Sequence, residues 1–385
     1  MKKRVIAAML FMLYAVSAFA ASDRLAIVPS EGDNNISIVD LNAEKVLKTL
    51  PTGKMPHAIA FTKEGKGYVN NRGSKELTVI DGNKFEVLKT IVLPATSFQI
   101  ALSPDNKTLA VAYKDALKLS FIDTTTDAIT NTVSIGKEPE GVFKGAMMKH
   151  SYWTKDGAYV YALDNVNNAV VKIDSKTNAI KATITLPGPT HYLHPSPDGK
   201  FLYAVNEAEK AGTSVTLIDS ETDKVVKDIP IPLEAEEQGL LHHGDFTKDG
   251  KYFFVCNEGG RTVAIMDTAK QEIVKTLKTG MGAGHPGMTR DGKYFFVIQH
   301  KDNVVTVIDI AKQEVVKSIP VGTGKKQAHG GYFTPDGKFY YMVNAEDNNM
   351  VKIDVAKMEV VSKIPVGKSA MFFSIKEGNE FPSTE

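Results

Sequence analysis

The sequence predicts an all-β chain folded as an eight-bladed β-propeller, and three observations carry that prediction. A strand ending in aspartate recurs eight times: "ISIVD" at Asp40, "LTVID" at Asp81, "LSFID" at Asp123, "VVKID" at Asp174, "VTLID" at Asp219, "VAIMD" at Asp267, "VTVID" at Asp309 and "MVKID" at Asp354. A second unit precedes most of them, a glycine turn running into an apolar strand, as in "TKEGKGYVNN", "SPDGKFLYAVN", "TKDGKYFFVCN" and "TPDGKFYYMVN". Third, the two ends of the chain hold complementary fragments: "RLAIVPS", "NISIVDL" and "KVLKTLP" at the start, and "MFFSIKEGN" near the end.

Each element follows from local chemistry. Asp-Gly between two apolar runs is a hairpin signal, so the glycine turn joins strand A to strand B. The aspartate closes strand C, and a further turn leads to strand D, as in "AKQEVVKSIPVG". Four antiparallel strands per period of 41 to 51 residues is the signature of a propeller blade. Seven complete A-B-C-D units are present, and the terminal fragments supply B, C and D from one end and A from the other. Pairing them in an eighth blade closes the ring and removes its open sheet edges. Seven blades with a free tail is the alternative. The widest departures from the period, 136–152 and 229–243, both join a strand D to the next strand A. The acidic "PLEAEEQGLL" within the second is expected to gate the channel mouth or receive a partner.

Residues 1–20 read as a Sec-type signal peptide: "MKKR", an apolar run, then Ala18-Phe19-Ala20. The expected mature chain, 21–385, is a single propeller domain in the periplasm with no membrane span. Lys+Arg number 46 against 45 Asp+Glu, so no global field favours nucleic acid or an anionic membrane. Cys256 is the only cysteine, which excludes an intrachain disulfide, and its strand "YFFVCN" makes it buried filler. There is no C-x-x-C-H, H-E-x-x-H, G-x-S-x-G or P-loop, and "GMGAGHPG" precedes a strand rather than a helix.

Histidines carry the functional signal. His57, His191, His242 and His329 each lie eight residues before a turn glycine, and His150 and His285 lie seven before theirs. Six of eight blades thus begin the innermost strand with histidine, at the rim of the central channel. Phe98–Gln99 and Ala370–Met371 take that place in the other two blades. His194, His243 and His300 fall near the same rim. Neutral imidazole is the commonest transition-metal ligand. Because neighbouring strand residues face opposite sides, His242 is expected to aim at the channel and His243 to turn toward the adjacent blade.

Three segments resemble the haem d1 propellers, namely the d1 domain of cytochrome cd1 nitrite reductase and the NirF- and NirN-type haem d1 biosynthesis proteins. "MPHAIAFTKEGKGYVNNRG" is similar to the segment bearing the proximal haem ligand, "LLHHGDFTKDGKYF" to that of one distal histidine, and "GAGHPG" to that of the other. The resemblance implies His57 as axial iron ligand and His242 and His285 as catalytic residues over the opposite face. It also implies cationic partners for the macrocycle's carboxylates: Arg72 and Lys149, assisted by Lys54, Lys144, Lys325 and Lys326. His191, His243 and His329 would complete the cofactor pocket. Without a c-type haem the chain looks NirF-like, with a periplasmic cytochrome or maturation protein as partner. Two further readings stand beside it. One is a copper or zinc site built from His57, His191, His242, His285 and His329. The other is a YVTN-type scaffold ("YAVN", "YMVN") that binds a protein partner without catalysis.

Overall fold

The computed structural model describes residues 24–141, 143–207, 213–233, 238–323 and 328–381. The signal peptide reading, Lys325 and Lys326, and residues 234–237 of the acidic D–A stretch lie outside them. The described chain forms eight antiparallel sheets of four strands each, as the repeat count requires. Seven are contiguous: blade 1 (56–92), blade 2 (97–134), blade 3 (148–185), blade 4 (190–230), blade 5 (241–278), blade 6 (283–320) and blade 7 (328–365). The closing blade, blade 8, pairs Ser374–Glu377 with Arg24–Ser30, in the register Ile27 to Ser374 and Arg24 to Glu377. Among the described residues no helix is long and apolar enough to cross a membrane.

The repeated aspartate has a mechanical explanation. Asp40 Oδ1 accepts the backbone N–H of Asn42 and Ala43, and Asp123, Asp174, Asp219 and Asp267 do the same two and three residues on. This Asx turn steers strand C into strand D. The A–B turn uses a second device. Thr154, Ser196, Thr247, Thr289 and Thr334 donate their hydroxyls to the aspartate two residues later. The glycine that follows, for example Gly250 at φ +70°, sits in the left-handed region that favours glycine.

Burial grades outward from the B and C strands. Tyr252–Asn257 and Thr262–Asp267 are almost wholly buried, whereas outer strands such as Lys45–Pro51 and Glu314–Pro320 are exposed but for one residue. The apolar core is therefore split into eight clusters, one at each interface between neighbouring blades. No interface can be lost without opening the ring. The seam is fastened by Phe373 and Ile375, which pack with Ala26, Val28 and Tyr341. Lys352 Nζ in blade 7 also meets Glu44 Oε1 in blade 8 at 2.8 Å, and Arg24 Nε meets Glu377 Oε1 at 3.1 Å. Cys256 is fully buried, as its strand implies.

A chain ending at Ser369 should lose its cooperative thermal transition in circular dichroism, since it exposes both a sheet edge and the seam cluster. Ile375→Ala alone should cost about 2–5 kcal/mol in urea unfolding.

Candidate functional site

The inner strands do not begin as regular strands. In blades 1 to 7 the register slips by one residue at the head of the inner strand, at Phe98 in blade 2, at or beside the histidine in blades 1, 3, 4 and 5, and at Gly284 and Gly330, next to the paired His285 and His329, in blades 6 and 7. In blade 1, Pro56 pairs with Asn71 and Ala58 with Asn70, so His57 is the unpaired extra residue. Such a β-bulge re-aims a side chain that regular pleating would send sideways, and here it turns the side chains into the channel.

The bulge also corrects the expectation for the adjacent histidines. Leu241 pairs with Asn257 and Gly244 with Val255, so His242 and His243 both stand opposite Cys256. Strand alternation is suspended there, and both rings enter the cluster. Their Nδ1 atoms approach to 2.5 Å. The His243 ring lies 4.2 Å from that of His285 and 5.2 Å from that of His191, centroid to centroid.

The ring of histidines is interrupted. Around the mouth, blades 3 to 7 contribute His150, His191, His242 with His243, His285 and His329, successive rings touching at 3.9 to 6.0 Å. His300, just past strand B of blade 6, joins them 5.1 Å from His285 and 4.6 Å from His329. His57 stands apart in blade 1, between blade 2 with Phe98 and blade 8 with Phe372. The Phe372 ring separates it from the cluster, 5.0 Å from His57 and 4.6 Å from His329. From sequence the closing blade's place falls to Ala370–Met371. In the structure Ala370 bridges to Ser30 on the strand edge, while Met371 lines the cavity as expected and Phe372 joins it there. The groups of histidines whose donor atoms converge within 4.8 Å include His150, His191, His242, His243, His285, His300 and His329 but not His57. A single copper or zinc site that includes His57 is therefore not assembled, because Phe372 lies in the way. His194 sits one layer back, where its Nε2 accepts the Gly244 N–H at 3.3 Å.

Three carboxylates that the sequence reading did not single out organise these imidazoles. Glu31 Oε1 lies 2.5 Å from His57 Nδ1. Glu207 holds His191 Nδ1 through one oxygen and Lys149 Nζ through the other. Glu258 lies 3.3 Å from His300 Nδ1 and 3.6 Å from His242 Nε2. All three occupy one position, the first residue after strand B, in "PSE", "VNE" and "CNE". Arg72, Lys114 and His300 hold the same position in blades 1, 2 and 6. A shared register for chemistry-bearing residues was thus present in the sequence, although each looks like an ordinary turn residue taken alone.

The electrostatics keep the imidazoles neutral. Burial first, then the charge of Arg72, holds His57 well below its ordinary pKa. Burial raises Glu31, against the pull of Arg72 and Lys114. The His57–Glu31 contact engages Nδ1 of a neutral imidazole with the Glu31 carboxyl group, which leaves Nε2 as the ring atom outside that contact. Burial and neighbouring imidazoles likewise lower His150, His242, His243, His285 and His329. Burial works to raise Glu207, but His191 and Lys149 outweigh it and bring the carboxyl down to about 2. Lys149 is thereby committed to an ion pair rather than presented to the channel. Arg72, lowered by burial to about 10 against the support of Glu31, stays charged. Its guanidinium lies 3.9 Å over the Phe98 ring, and its Nε donates to the Phe98 carbonyl at 2.9 Å. Lys54 and Lys144 are exposed and do not line the channel.

Beneath the mouth the channel opens into a cavity of about 850 Å³. Its walls carry His57, Arg72 and the histidine arc together with the aromatic Phe61, Tyr152 and Trp153. That volume falls within the range of small-molecule and cofactor sites.

Residues 98–260 match the family described as the cytochrome D1 heme domain. The chain is similar to the haem d1 propellers. Residues 16–151 match a YNCE-like beta-propeller and residues 192–371 a repeat of unknown function. A seven-bladed beta-propeller protein of Mycobacterium tuberculosis is 28% identical over 127 residues, covering 33% of this chain and 30% of its own length. The dihydro-heme d1 dehydrogenase of Pseudomonas aeruginosa is 26% identical over 137 residues, covering 34% of this chain and 27% of its own length. The matches thus span under a third of either relative. Among solved structures, the dihydro-heme d1 dehydrogenase NirN in complex with DHE superposes with a TM-score of 0.76 over 92% of this chain and 75% of that one, at 18% identity. At that identity the superposition establishes the shared fold.

Each buried neutral imidazole takes up a proton on unfolding, so its folded pKa lies below its unfolded one. That contribution to stability is complete above about pH 6.5 and is lost as pH falls toward the folded value, about 3 for His194. The urea midpoint of metal-free protein should fall steadily from about pH 7 to about pH 4. A flat profile there would contradict the neutral assignment.

Proposed function

We propose that the channel binds a haem d1-type tetrapyrrole, with His57 as the axial ligand of its iron. One observation carries the reading: His57 stands alone, its Nδ1 engaged by Glu31, at the head of a cavity of about 850 Å³ and beside Arg72. The residues present fit such a group. A carboxylate on the far nitrogen is the usual way a protein fixes the tautomer of a ligating histidine. Arg72, stacked on Phe98, is the buried cation suited to a peripheral carboxylate, since a guanidinium can pair with it bidentately. Phe372 packs against His57, which is buried from water. A bound iron tetrapyrrole would supply a redox-active metal, which His57 would hold. His242 and His285 are the candidates for the opposite face, through the resemblance in their segments.

The relation to haem d1 chemistry supports a role in denitrification or in haem d1 maturation. On this reading the chain is exported through residues 1–20, works in the periplasm, and meets a cytochrome or maturation protein at the rim of the D–A loops. Cell fractionation and N-terminal sequencing test the export. A cytoplasmic protein that retains residues 1–20 would overturn it.

Titration of the purified chain with haem d1, followed by absorption, should saturate at about one per chain with a shifted Soret band. Arg72→Met should weaken binding about 10- to 100-fold, the worth of one charge-assisted pair. His57→Ala should abolish the axial-ligand signature. Wild-type protein that takes up no haem d1 would refute the proposal.

A further inference from the structure

Three histidines of the cluster come from separate places in blades 6 and 7. His285 opens the inner strand of blade 6, His300 follows strand B of the same blade, and His329 opens the inner strand of blade 7. Their rings lie 4.4 to 5.1 Å apart, and one nitrogen from each falls within 4.8 Å of the others. Each ring also has a buried nitrogen without a hydrogen-bond partner among the described residues: Nε2 of His285, Nε2 of His300 and Nδ1 of His329. A buried polar atom left unpaired destabilises the fold, so three at one spot call for a ligand that would satisfy them together.

We propose that His285, His300 and His329 form a tripod for one borderline divalent transition cation, zinc(II) or copper(II). Imidazole nitrogen is the donor those ions prefer among side chains other than thiolates. A tetrahedral ion with Zn–N bonds of about 2.0–2.1 Å asks for nitrogens about 3.4 Å apart, a modest contraction of the present arrangement. Three protein ligands leave a fourth position for water or a substrate atom, as in catalytic rather than structural sites.

Two features of the surroundings fit a ligand role. Glu258 occupies the other nitrogen of His300, Oε1 to Nδ1 at 3.3 Å, and so fixes which nitrogen faces the tripod. Gly284, inside the glycine-rich "GMGAGHPG", is the second. A Cβ there would overlap the His300 ring, so glycine is what lets His300 lie across the strand that carries His285. That glycine run, which suits no phosphate cradle, gains a reason in this packing.

The inference shares His285 and the cavity wall with the tetrapyrrole reading, and the experiment separates the two through His57 on one side and His329 on the other. The full chain is stripped with a chelator, incubated with Zn(II) in one arm and Cu(II) in another, desalted and assayed by plasma mass spectrometry. About one ion per chain should be retained in at least one arm. His329→Ala and Gly284→Ala, checked for folding by circular dichroism, should each weaken retention at least about tenfold, as loss of a ligand or of its support does. His57→Ala should leave metal retention unchanged while losing haem d1 binding. Co(II) in place of Zn(II) should give visible bands of a nitrogen-bound tetrahedral ion. Substoichiometric metal in both arms, or retention lost equally in His57→Ala, would overturn the tripod. So would retention unaffected in both folded variants.

Discussion

The extra residue at the head of each inner strand is the constraint on which the site depends. A regular strand sends alternate side chains to opposite faces, and in a propeller those faces abut the neighbouring blades. A side chain aimed down the central axis needs the alternation broken. The register slips between Pro56 and Ala58, between Thr190 and Tyr192, and between Leu241 and Gly244 supply that break at the same height in each blade. Eight packed interfaces hold the blades at fixed angles, so the bulges converge. The cost is imidazoles kept out of water and uncharged, which only a large, closed core can support.

The sequence showed most of this scaffold and part of its centre. Blade number, the joining of the termini and the histidine positions all followed from spacing, because hairpin turns and strand periods are local. What failed was what depends on the bulge or on the order of blades around the ring. Alternation sent His243 away from the channel, whereas the bulge brings it in beside His242. The counting offset placed Ala370–Met371 at the mouth, and the seam delivers Met371 together with Phe372 while Ala370 stays on the strand edge. By spacing alone His57 is one histidine of six, and only the fold puts Phe372 between it and the cluster. Lys149 read as a cation for a ligand, but Glu207, 58 residues further along, already holds it. Long-range pairings of this kind leave no local mark.

Polarity around the mouth is uneven, and one position produces it. The residue after strand B is Glu31, Arg72 and Lys114 in blades 8, 1 and 2, and Glu207, Glu258 and His300 in blades 4 to 6. The first arc surrounds His57 with a cation pair and one carboxylate. The second arc backs the histidine cluster with two carboxylates. A ring of near-identical blades has thereby become two environments, one suited to an anionic ligand and one to a cationic one, by substitutions at a single repeated site.

Phe372 gives the closing seam a role in time as well as in space. It lies near the end of the chain, yet its ring packs against His57, near the beginning, and against His285 and His329 in the later blades. Most of the blades can pair their strands as the polypeptide grows. The partition between the lone histidine and the cluster cannot exist until the final strand has docked beside the first. Synthesis therefore completes the scaffold and the site in one act. A chain that lacks this strand lacks the partition, so the pocket is complete only when the closing blade has formed.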